Sequence, residues 1–382
     1  MRLSYLEKQL DILKKESNFR TLPNAKSAGK YVEINGNRML NLSYNDYLGL
    51  ASNKKLRAKF LENIDIEKFI PSSSSSRLLG GSFDEYIELE TMLAELFHKE
   101  SSLVFNSGYH LNIGILPAIA NTRTLILADK LIHASIIDGI ILSRANFLRY
   151  KHNDYEHLEK LIKANHSNYT QIIIVTESVF SMDGDRSDLQ KLVEIKQKYD
   201  NILLYVDEAH AVGVFGKNGL GIAEEENCIN EIDFLVGTFG KALASVGGYI
   251  VCDKIIRDFL INKMRSFIFS TALPPINISW TKFILENLPY FNNKRNHLQN
   301  ITNKFISSLQ KRNYTTPSKS HIVPLIIGDN ELSINKSNYL QENGFYTLAV
   351  RPPAVPVGQS RIRISLNADL EEQDIDNLIA LL

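Results

Sequence analysis

Short apolar runs alternate with helical patterns through the middle of the chain, and this alternation limits the fold more than any other feature. The runs cover residues 103–105, 125–129, 172–175, 202–206, 232–236 and 248–251. Helical patterns lie between them, one beginning near residue 111 and another covering 189–199. Such alternation is typical of an α/β domain with a parallel sheet. Ligands bind these sheets at the carboxyl ends of the strands, so the residues after each run are candidates for a site.

The composition excludes several classes of function. Lysine plus arginine equals aspartate plus glutamate at 43 each, so no basic field is present to bind nucleic acid. The two cysteines, Cys228 and Cys252, have no C-x-x-C spacing, which argues against a disulfide framework or a structural zinc site. Residues 1–16 lack the apolar core of a signal peptide, and no apolar stretch could span a bilayer. We therefore expect a cytoplasmic protein with small-molecule substrates and no membrane or nucleic-acid partner.

The length of 382 residues predicts two or three domains. We predict an N-terminal arm over residues 1–45, a large α/β domain over 46–280 and a smaller α+β domain over 281–382. The arm would hold an amphipathic helix, with leucines at positions 3, 6, 10 and 13, and a hairpin that turns at Asn35-Gly36. The last domain would hold strands over 321–327, 346–350 and 361–365 and helices over 280–288, 297–309 and 371–381.

Lys241 lies in the segment Gly-Thr-Phe-Gly-Lys-Ala at 237–242, between two apolar runs. Glycine and small neighbours allow a tight turn and close approach of a ligand. A lysine in such a place can act as a nucleophile that forms a Schiff base with a carbonyl group, either of a substrate or of pyridoxal phosphate (PLP). An exposed lysine at a strand end is the alternative, and spacing alone favours it.

Asp207 follows the run at 202–206 and precedes Glu208 and His210. Two acids and a histidine could bind a metal, but no further ligands lie at metal-site spacing, so we predict no metal. A carboxylate can instead pair with the ring nitrogen of PLP and keep the ring cationic, so that the ring accepts electrons from a carbanion. Asp207 and Lys241 end successive predicted strands, so folding can bring them to one crevice.

Gly108 and His133 extend this predicted cofactor site. Gly108 lies where the run at 103–105 turns into a helix, and backbone N–H groups at a helix start bind phosphate, although an unoccupied turn is commoner. His133 follows the run at 125–129, where a structural cap and a ligand contact are about equally expected. Together with Asp207 and Lys241, they predict a complete PLP site.

Two further segments suggest anion binding. The serine run at 72–76 has the composition of a flexible linker, but it is short and leads through Arg77 into a helix, so we expect an ordered loop near an anion. Arg351 precedes Pro352, Pro353 and Pro356. A loop stiffened in this way could present the guanidinium to a carboxylate, and an exposed surface arginine is the alternative.

Five motifs together resemble those of the α-oxoamine synthases. They cover residues 43–50, 178–185, 206–210, 238–241 and 351–353, in an order that spans nearly the whole chain. The family consists of PLP enzymes of the aspartate aminotransferase fold (fold type I), which join an amino acid to an acyl-CoA with loss of carbon dioxide. The resemblance implies a large domain with a mainly parallel seven-stranded sheet and a smaller α+β domain. Within the family, the likeness is strongest to the member that condenses L-alanine with a pimeloyl thioester, on coenzyme A or a carrier protein, in biotin biosynthesis.

The resemblance also implies a role for each motif residue. Lys241 would carry the cofactor and remove the α-proton, Asp207 would pair with the pyridinium nitrogen, and His133 would stack on the ring. The other implied cofactor contacts are those of His210 and Ser181 with the phenolate oxygen, those of Gly108, Tyr109 and Thr238 with the phosphate, and those of Ser270 and Thr271 from a partner subunit. Arg351 would bind the amino-acid carboxylate, with Arg20 and Asn45 at the substrate mouth. A homodimer with shared active sites follows from the partner contacts.

Two departures from the family pattern bear on the substrate. Serines at 72–76 replace the usual glycine-rich loop, and Ala354 replaces a threonine near the substrate. The reaction class is unaffected, but the acyl partner could differ. One alternative is an α-oxoamine synthase that uses glycine or serine with another acyl-CoA. An aminotransferase and a non-enzymatic subunit of the same fold are weaker alternatives, and no G-x-G-x-x-G motif follows an early strand to support nicotinamide binding.

Overall fold

The computed structural model describes residues 3–382, apart from the side chains at positions 28 and 68. These residues form two compact units. The sheet unit comprises residues 54–180 and 186–295, and the terminal unit comprises the described residues up to 53 together with 181–185 and 296–382. The chain passes from the terminal unit to the sheet unit after residue 53 and returns to the terminal unit after residue 295. The domain prediction places these two boundaries after residues 45 and 280.

The helices and strands are numbered in chain order. The helices are α1 (Ser4–Lys15), α2 (Lys54–Glu62), α3 (Asp84–Leu96), α4 (Gly108–Ile119), α5 (Ala134–Ser143), α6 (Tyr155–Asn165), α7 (Leu189–Lys196), α8 (Ile222–Glu225), α9 (Lys254–Lys263), α10 (Arg265–Ile268), α11 (Pro275–Glu286), α12 (Asn292–Lys311), α13 (Asn330–Glu342) and α14 (Glu372–Ala380). The strands are β1 (Ala25–Ala28), β2 (Tyr31–Ile34), β3 (Asn37–Asn41), β4 (Ser101–Phe105), β5 (Thr124–Asp129), β6 (Asn146–Tyr150), β7 (Gln171–Glu177), β8 (Ile202–Asp207), β9 (Phe234–Thr238), β10 (Gly248–Cys252), β11 (Ile322–Gly328), β12 (Phe345–Tyr346), β13 (Ala349–Val350) and β14 (Ser360–Ser365). Short 3-10 helices cover Ile66–Lys68, Ile229–Glu231 and Leu288–Phe291.

A seven-stranded sheet with the order β4-β10-β9-β8-β7-β5-β6 forms the centre of the sheet unit. The strands from β5 to β9 pair in parallel, and β10 runs antiparallel to both β9 and β4. Every residue of β5 and β9 is buried, as expected for a sheet covered on both faces, and this is why the strands appear in the sequence as continuous apolar runs. The prediction of a mainly parallel seven-stranded sheet is confirmed.

Helices α4 and α5 pack closely against each other beside this sheet. Buried side chains of both helices join the main core, among them Leu111 and Ile115 of α4 and Ile136 and Ile140 of α5. The approach depends on Gly139, since a Cβ atom there would lie 2.2 Å from the carbonyl oxygen of Asn112. The contact holds the backbone of α4 at Asn112 against α5.

The terminal unit contains two small sheets, with the orders β1-β2-β3-β12 and β11-β14-β13. The hairpin of β2 and β3 turns at Asn35 and Gly36, which have φ angles of 52° and 82°, as a type I′ turn requires. The amphipathic helix predicted near the N-terminus is present as α1, and none of its described side chains is buried.

The prediction of a single strand over residues 346–350 is wrong. Phe345 and Tyr346 pair with β3, whereas Ala349 and Val350 pair with β14 in the other sheet. The chain changes sheets at Thr347, whose carbonyl oxygen accepts hydrogen bonds from side chains of α13. Within residues 3–382, no helix is long and apolar enough to cross a membrane.

Candidate active site

The carboxyl ends of six strands lie at one edge of the seven-stranded sheet, and five of these strands precede predicted site residues or carry them. Strands β5, β7, β8 and β9 are parallel, and β4 points the same way because β10 is antiparallel to both of its neighbours. The predicted site residues that follow these ends are Gly108 and Tyr109 after β4, His133 after β5, Asp207 and His210 at β8, and Thr238 and Lys241 at β9. The topology therefore places all of them at the same edge.

Lys241 and His210 come from neighbouring strands and meet directly. The Nζ atom of Lys241 lies 2.8 Å from Nε2 of His210. Lys241 is half-buried and His210 is buried. The loop that carries Lys241 is held by main-chain hydrogen bonds from Phe239 to Gly247 and from Ser245 to Phe239. The amine is thus fixed in a partly desolvated position beside an imidazole.

Asp207 is buried and has two hydrogen-bond donors. Its Oδ1 accepts from the backbone N–H of Ala209 at 2.9 Å, and its Oδ2 accepts from Nδ2 of Asn112 at 3.0 Å. Glu177 pairs with Asp207 in the β7–β8 ladder, and burial, together with the charge of Asp207, raises the pKa of Glu177 well above its ordinary value. This shift favours the neutral form of the Glu177 carboxyl group beside Asp207.

His133 caps the start of α5 at the same edge. Its Nδ1 accepts from the backbone N–H of Ser135 and lies 2.7 Å from the Ser135 hydroxyl oxygen. The residue is exposed, yet desolvation lowers the pKa of its imidazole. The charge of Asp207 opposes this shift and that of Lys241 adds to it. The shift favours the neutral ring, which is the form suited to stacking on an aromatic cofactor.

The start of α4 lies beside Thr238. Ser107 caps the helix by accepting from the N–H of His110, so α4 begins at Gly108, three residues before the predicted start. A Cβ atom at Gly108 would lie 3.6 Å from Cβ of Thr238, and one at Gly248 would lie 3.0 Å from the Gly108 nitrogen. Small residues therefore leave the N–H groups of the helix start open beside the threonine.

Tyr109, in the first turn of α4, is exposed, and its hydroxyl donates to Asp138 at 2.6 Å. Its backbone N–H lies in that first turn, where no partner within the helix is available. Tyr109 is thus placed to offer its backbone, while its side chain is engaged elsewhere.

Ser270 and Thr271 follow α10 in an extended segment. The Thr271 carbonyl accepts from Nδ2 of Asn106 at 2.6 Å, next to the start of α4. Thr271 also pairs with Ser76, and Ser73 donates to the carbonyl of Ala272 at 2.7 Å. The serine run is therefore an ordered loop that packs on this segment.

The other predicted site residues belong to the terminal unit. They are Arg20, Asn45, Ser181, Arg351 and Ala354. Asn45 Oδ1 accepts from Arg363 at 3.1 Å and from the Tyr47 hydroxyl at 3.0 Å, and the Ser181 carbonyl accepts from Arg363 at 2.6 Å. Arg363 thus ties Asn45 and Ser181 together. Ala354 is exposed, and its N–H donates to the Arg351 carbonyl.

Arg351 and Arg20 form a cationic pair within this unit. Arg351 donates to the Ser17 carbonyl, and Arg20 donates to the Pro352 carbonyl at 3.0 Å. Desolvation lowers the pKa of Arg351, and the charge of Arg20 lowers it further. The Nε atom of Arg351 is buried without a hydrogen-bond partner among residues 3–382. Two guanidinium groups with a spare donor are suited to a carboxylate.

Sequence reasoning missed four buried polar residues around Asp207 and His133. They are Asn112, Ser135, Glu177 and Tyr205. Glu177 ends an apolar run just as Asp207 does, so the same reasoning could have found it. Asn112 interrupts an apolar helix between Leu111 and Ile113, and a lone amide there is also a detectable pattern.

Comparison with known proteins gives consistent results over the full chain. Residues 37–382 match the family model described as aminotransferase class I and II. A protein of Glaesserella parasuis serovar 5 named "Putative 8-amino-7-oxononanoate synthase" is 57% identical over 95% of this chain and 96% of its own. The chain belongs to the α-oxoamine synthases, within the class I and II aminotransferase family.

Solved structures agree with this assignment. Serine palmitoyltransferase from S. paucimobilis with bound PLP-myriocin aldimine superimposes with a TM-score of 0.91 at 27% identity, covering 100% of this chain and 96% of that one. 8-Amino-7-oxononanoate synthase from Francisella tularensis gives a TM-score of 0.77 at 29% identity, covering 90% and 96%. The predicted fold-type I architecture is confirmed, and the enzyme is a PLP-dependent acyltransferase.

The residues at the sheet edge fit this cofactor. The amine of Lys241 suits its aldehyde, the carboxylate of Asp207 suits its ring nitrogen, and the open start of α4 suits its phosphate. The small residues Gly108 and Gly248 leave space at that helix start. Among residues 3–382, no group of three or more histidine, cysteine, aspartate or glutamate side chains is arranged to hold a metal ion.

Glu208 lies beside this site and fixes the loop that carries His210. Its carboxylate accepts from the Ser178 hydroxyl at 2.5 Å and from the backbone N–H groups of Ile222 and Ala223 at 3.1 and 2.7 Å. The side chain is fully buried, and this desolvation raises the pKa of Glu208 to about 7, against the opposing effect of its donors.

The raised pKa of Glu208 predicts a pH dependence of stability. Between its ordinary pKa of 4.5 and about 7, the unfolded chain has lost a proton that the folded enzyme keeps, so stability decreases as the pH rises through this window. The effect is about 3 kcal/mol, since one pKa unit corresponds to about 1.4 kcal/mol. Glu208→Gln removes this titration. Its thermal midpoint should therefore decrease less than that of the wild type between pH 4.5 and 7.

The matched control is Glu194→Gln, which removes a carboxylate from an exposed position. Thermal unfolding of the PLP-saturated enzymes at a series of pH values measures the difference. The Glu194→Gln curve should follow the wild type, and the Glu208→Gln curve should be flatter. Parallel curves for all three proteins would contradict the raised pKa.

Proposed function

We propose that the enzyme catalyses the decarboxylative condensation of L-alanine with a pimeloyl thioester, carried by coenzyme A or a carrier protein. The products are 8-amino-7-oxononanoate, the free thiol carrier and carbon dioxide, in the pathway to biotin. The observation that carries the proposal is the full-length similarity, at 57% identity, to a relative that bears the name of this activity. The Lys241, Asp207 and His210 arrangement supplies the chemistry it requires.

Bound PLP supplies an aldehyde that condenses with amines and a cationic ring that accepts the electron pair of a carbanion. Lys241 would hold the cofactor through its amine, and its Nζ would take the α-proton of the amino acid. The 2.8 Å contact with His210 keeps that amine in position. Asp207 would hold the proton on the ring nitrogen, and His133 would contact the ring.

The remaining cofactor contacts are proposed on the same basis. The N–H groups of Gly108 and Tyr109, with Thr238 beside them, bind the phosphate, because all three residues lie at the start of α4 or next to it. His210 and Ser181 bond the phenolate oxygen. The role of Ser181, which belongs to the terminal unit, rests on its motif alone.

The amino-acid substrate presents a carboxylate, and we assign it to Arg351 with Arg20 beside it. The unpartnered Nε of Arg351 and the adjoining cation support this role. Asn45 is held by Arg363 and Tyr47 and would line the substrate mouth as a fixed group. Ala354 would leave space where a threonine hydroxyl is usual.

The enzyme is further proposed to act as a homodimer in the cytoplasm. In this arrangement, Ser270 and Thr271 of one subunit reach the phosphate bound by the other. The hydrogen bond from Asn106 to Thr271 keeps this segment next to the start of α4 in its own subunit. Cytoplasmic location stays a prediction from composition.

A second candidate function is condensation with serine or glycine and another acyl-CoA. The higher TM-score to a serine palmitoyltransferase, 0.91 against 0.77 for the 8-amino-7-oxononanoate synthase structure, favours it. Sequence identity favours the first candidate, because the relative with that name shares 57% against 27% for the palmitoyltransferase. The methyl group that separates alanine from glycine is worth about 1–3 kcal/mol in a pocket.

The decisive experiment compares L-alanine, glycine and L-serine, each with pimeloyl-CoA. We expect alanine to give the mass of 8-amino-7-oxononanoate with release of free coenzyme A, and a kcat/KM about 10–200 times that of glycine. Lys241→Arg should release no coenzyme A, whereas Lys254→Arg, an equal change at an exposed lysine, should be active. Preference for glycine or serine would favour the second candidate, and transfer of the amino group with the thioester intact would contradict acyl transfer.

Arg351→Lys tests the carboxylate assignment. Lysine keeps the charge but loses the two-pronged hydrogen bond, so the KM for the amino acid should rise by about tenfold or more while the KM for the thioester stays constant. Steady-state kinetics with each substrate varied in turn measures the two constants. Arg312→Lys, at an exposed position, is the control. An unchanged KM for the amino acid in Arg351→Lys would exclude this role.

A further inference from the structure

Asn112 links Asp207 and, through Ser135, His133, the two residues proposed to contact the cofactor ring. It is a buried residue of α4, and its Nδ2 atom lies 3.0 Å from Oδ2 of Asp207 and 3.0 Å from the hydroxyl oxygen of Ser135. Its Oδ1 accepts from the hydroxyl of Tyr205. Both amide hydrogens and the carbonyl oxygen are thus engaged, which accounts for the donors and the main acceptor of this side chain.

The chemistry of these partners fixes the orientation of the amide. A carboxylate accepts only, so the NH2 group, rather than the carbonyl oxygen, must face Asp207. Ser135 accepts from the same NH2 group, which leaves its own O–H to donate to Nδ1 of His133, 2.7 Å away. Nδ1 is therefore an acceptor, and in the neutral ring the proton is on Nε2.

The backbone at Asn112 is held as firmly as its side chain. Gly139 of α5 lies against it so closely that a Cβ atom there would be 2.2 Å from the Asn112 carbonyl oxygen. Helix α5 also carries Ser135 and is capped by His133. The packing contact at Gly139 therefore sets how far the Asn112 amide lies from Ser135 and from His133. Rotation of the amide would break hydrogen bonds to three residues.

We propose that Asn112 is a positioning residue of the cofactor site. It holds Asp207 toward the ring nitrogen and, through Ser135, fixes the tautomer and orientation of His133. The inference rests on the proposed role of Asp207. Asn112 touches neither cofactor nor substrate in this account, so its whole effect passes through Asp207 and His133.

The test is a double-mutant cycle on PLP affinity, read as the dissociation constant from absorbance titration of the apoprotein. Asn112→Leu, which is similar in volume and has no donor, should weaken PLP binding about ten- to a hundredfold, as expected for loss of a hydrogen bond to a charged group. Asp207→Asn should weaken it at least as much. The double variant should bind PLP more tightly than the sum of the two single losses predicts, because the part of the effect that passes through the Asp207 carboxylate is already lost in Asp207→Asn.

The control is Asn165→Leu, in which the lost amide bonds only to the main chain of its own helix α6. Its PLP affinity should equal that of the wild type. If Asn112→Leu does not fold, Tyr205→Phe takes its place in the cycle. This change removes the hydroxyl that donates to Oδ1 of Asn112. It should weaken PLP binding about two- to tenfold in the wild-type background only.

Each outcome of the cycle either supports or overturns the positioning role of Asn112. Unchanged affinity in Asn112→Leu, or a loss that simply adds to that of Asp207→Asn, would overturn the positioning role while leaving the proposed function intact. If Asp207→Asn itself binds PLP as the wild type does, the role of Asp207 is wrong and the inference falls with it. A purely structural role for Asn112 predicts additive losses and a lower melting temperature in both backgrounds.

Discussion

The parallel pairing of β7, β8 and β9 is the constraint on which the site depends. It puts Glu177 beside Asp207 and brings the loop after β9, with Lys241, next to His210. Because β10 reverses direction between β9 and β4, the start of α4 comes to the same edge of the sheet. A shift of one residue in the β7–β8 or β8–β9 register would turn these side chains to the opposite face of the sheet.

Burial of several polar groups at this edge has a cost that the local hydrogen bonds offset. Desolvation raises the pKa of Glu177 well above its ordinary value and that of Glu208 to about 7, which favours the neutral form of both carboxyl groups. Asp207 accepts hydrogen bonds from the backbone N–H of Ala209 and from the side chain of Asn112, so its carboxylate is held in one orientation.

Much of the fold could be predicted from the sequence, because the buried strands are continuous apolar runs. The positions of Asp207 and Lys241 at the carboxyl ends of β8 and β9 follow from the same runs, whereas their catalytic roles stay a prediction. The switch of sheets at Thr347 could not be predicted, since it depends on bonds from α13 to one carbonyl group. Asn112 was missed for a similar reason. Its importance comes from Asp207, Ser135 and Tyr205, which are distant along the chain and meet only after the sheet has formed.

The most direct test of this account is to locate the covalent bond to the cofactor. The PLP-loaded enzyme is reduced with borohydride, digested and mapped by mass spectrometry. The account predicts a pyridoxyl group on Lys241, because this amine is half-buried at the carboxyl edge of the sheet and lies 2.8 Å from Nε2 of His210. A pyridoxyl group on another lysine, or none on the saturated enzyme, would contradict the placement of the active site.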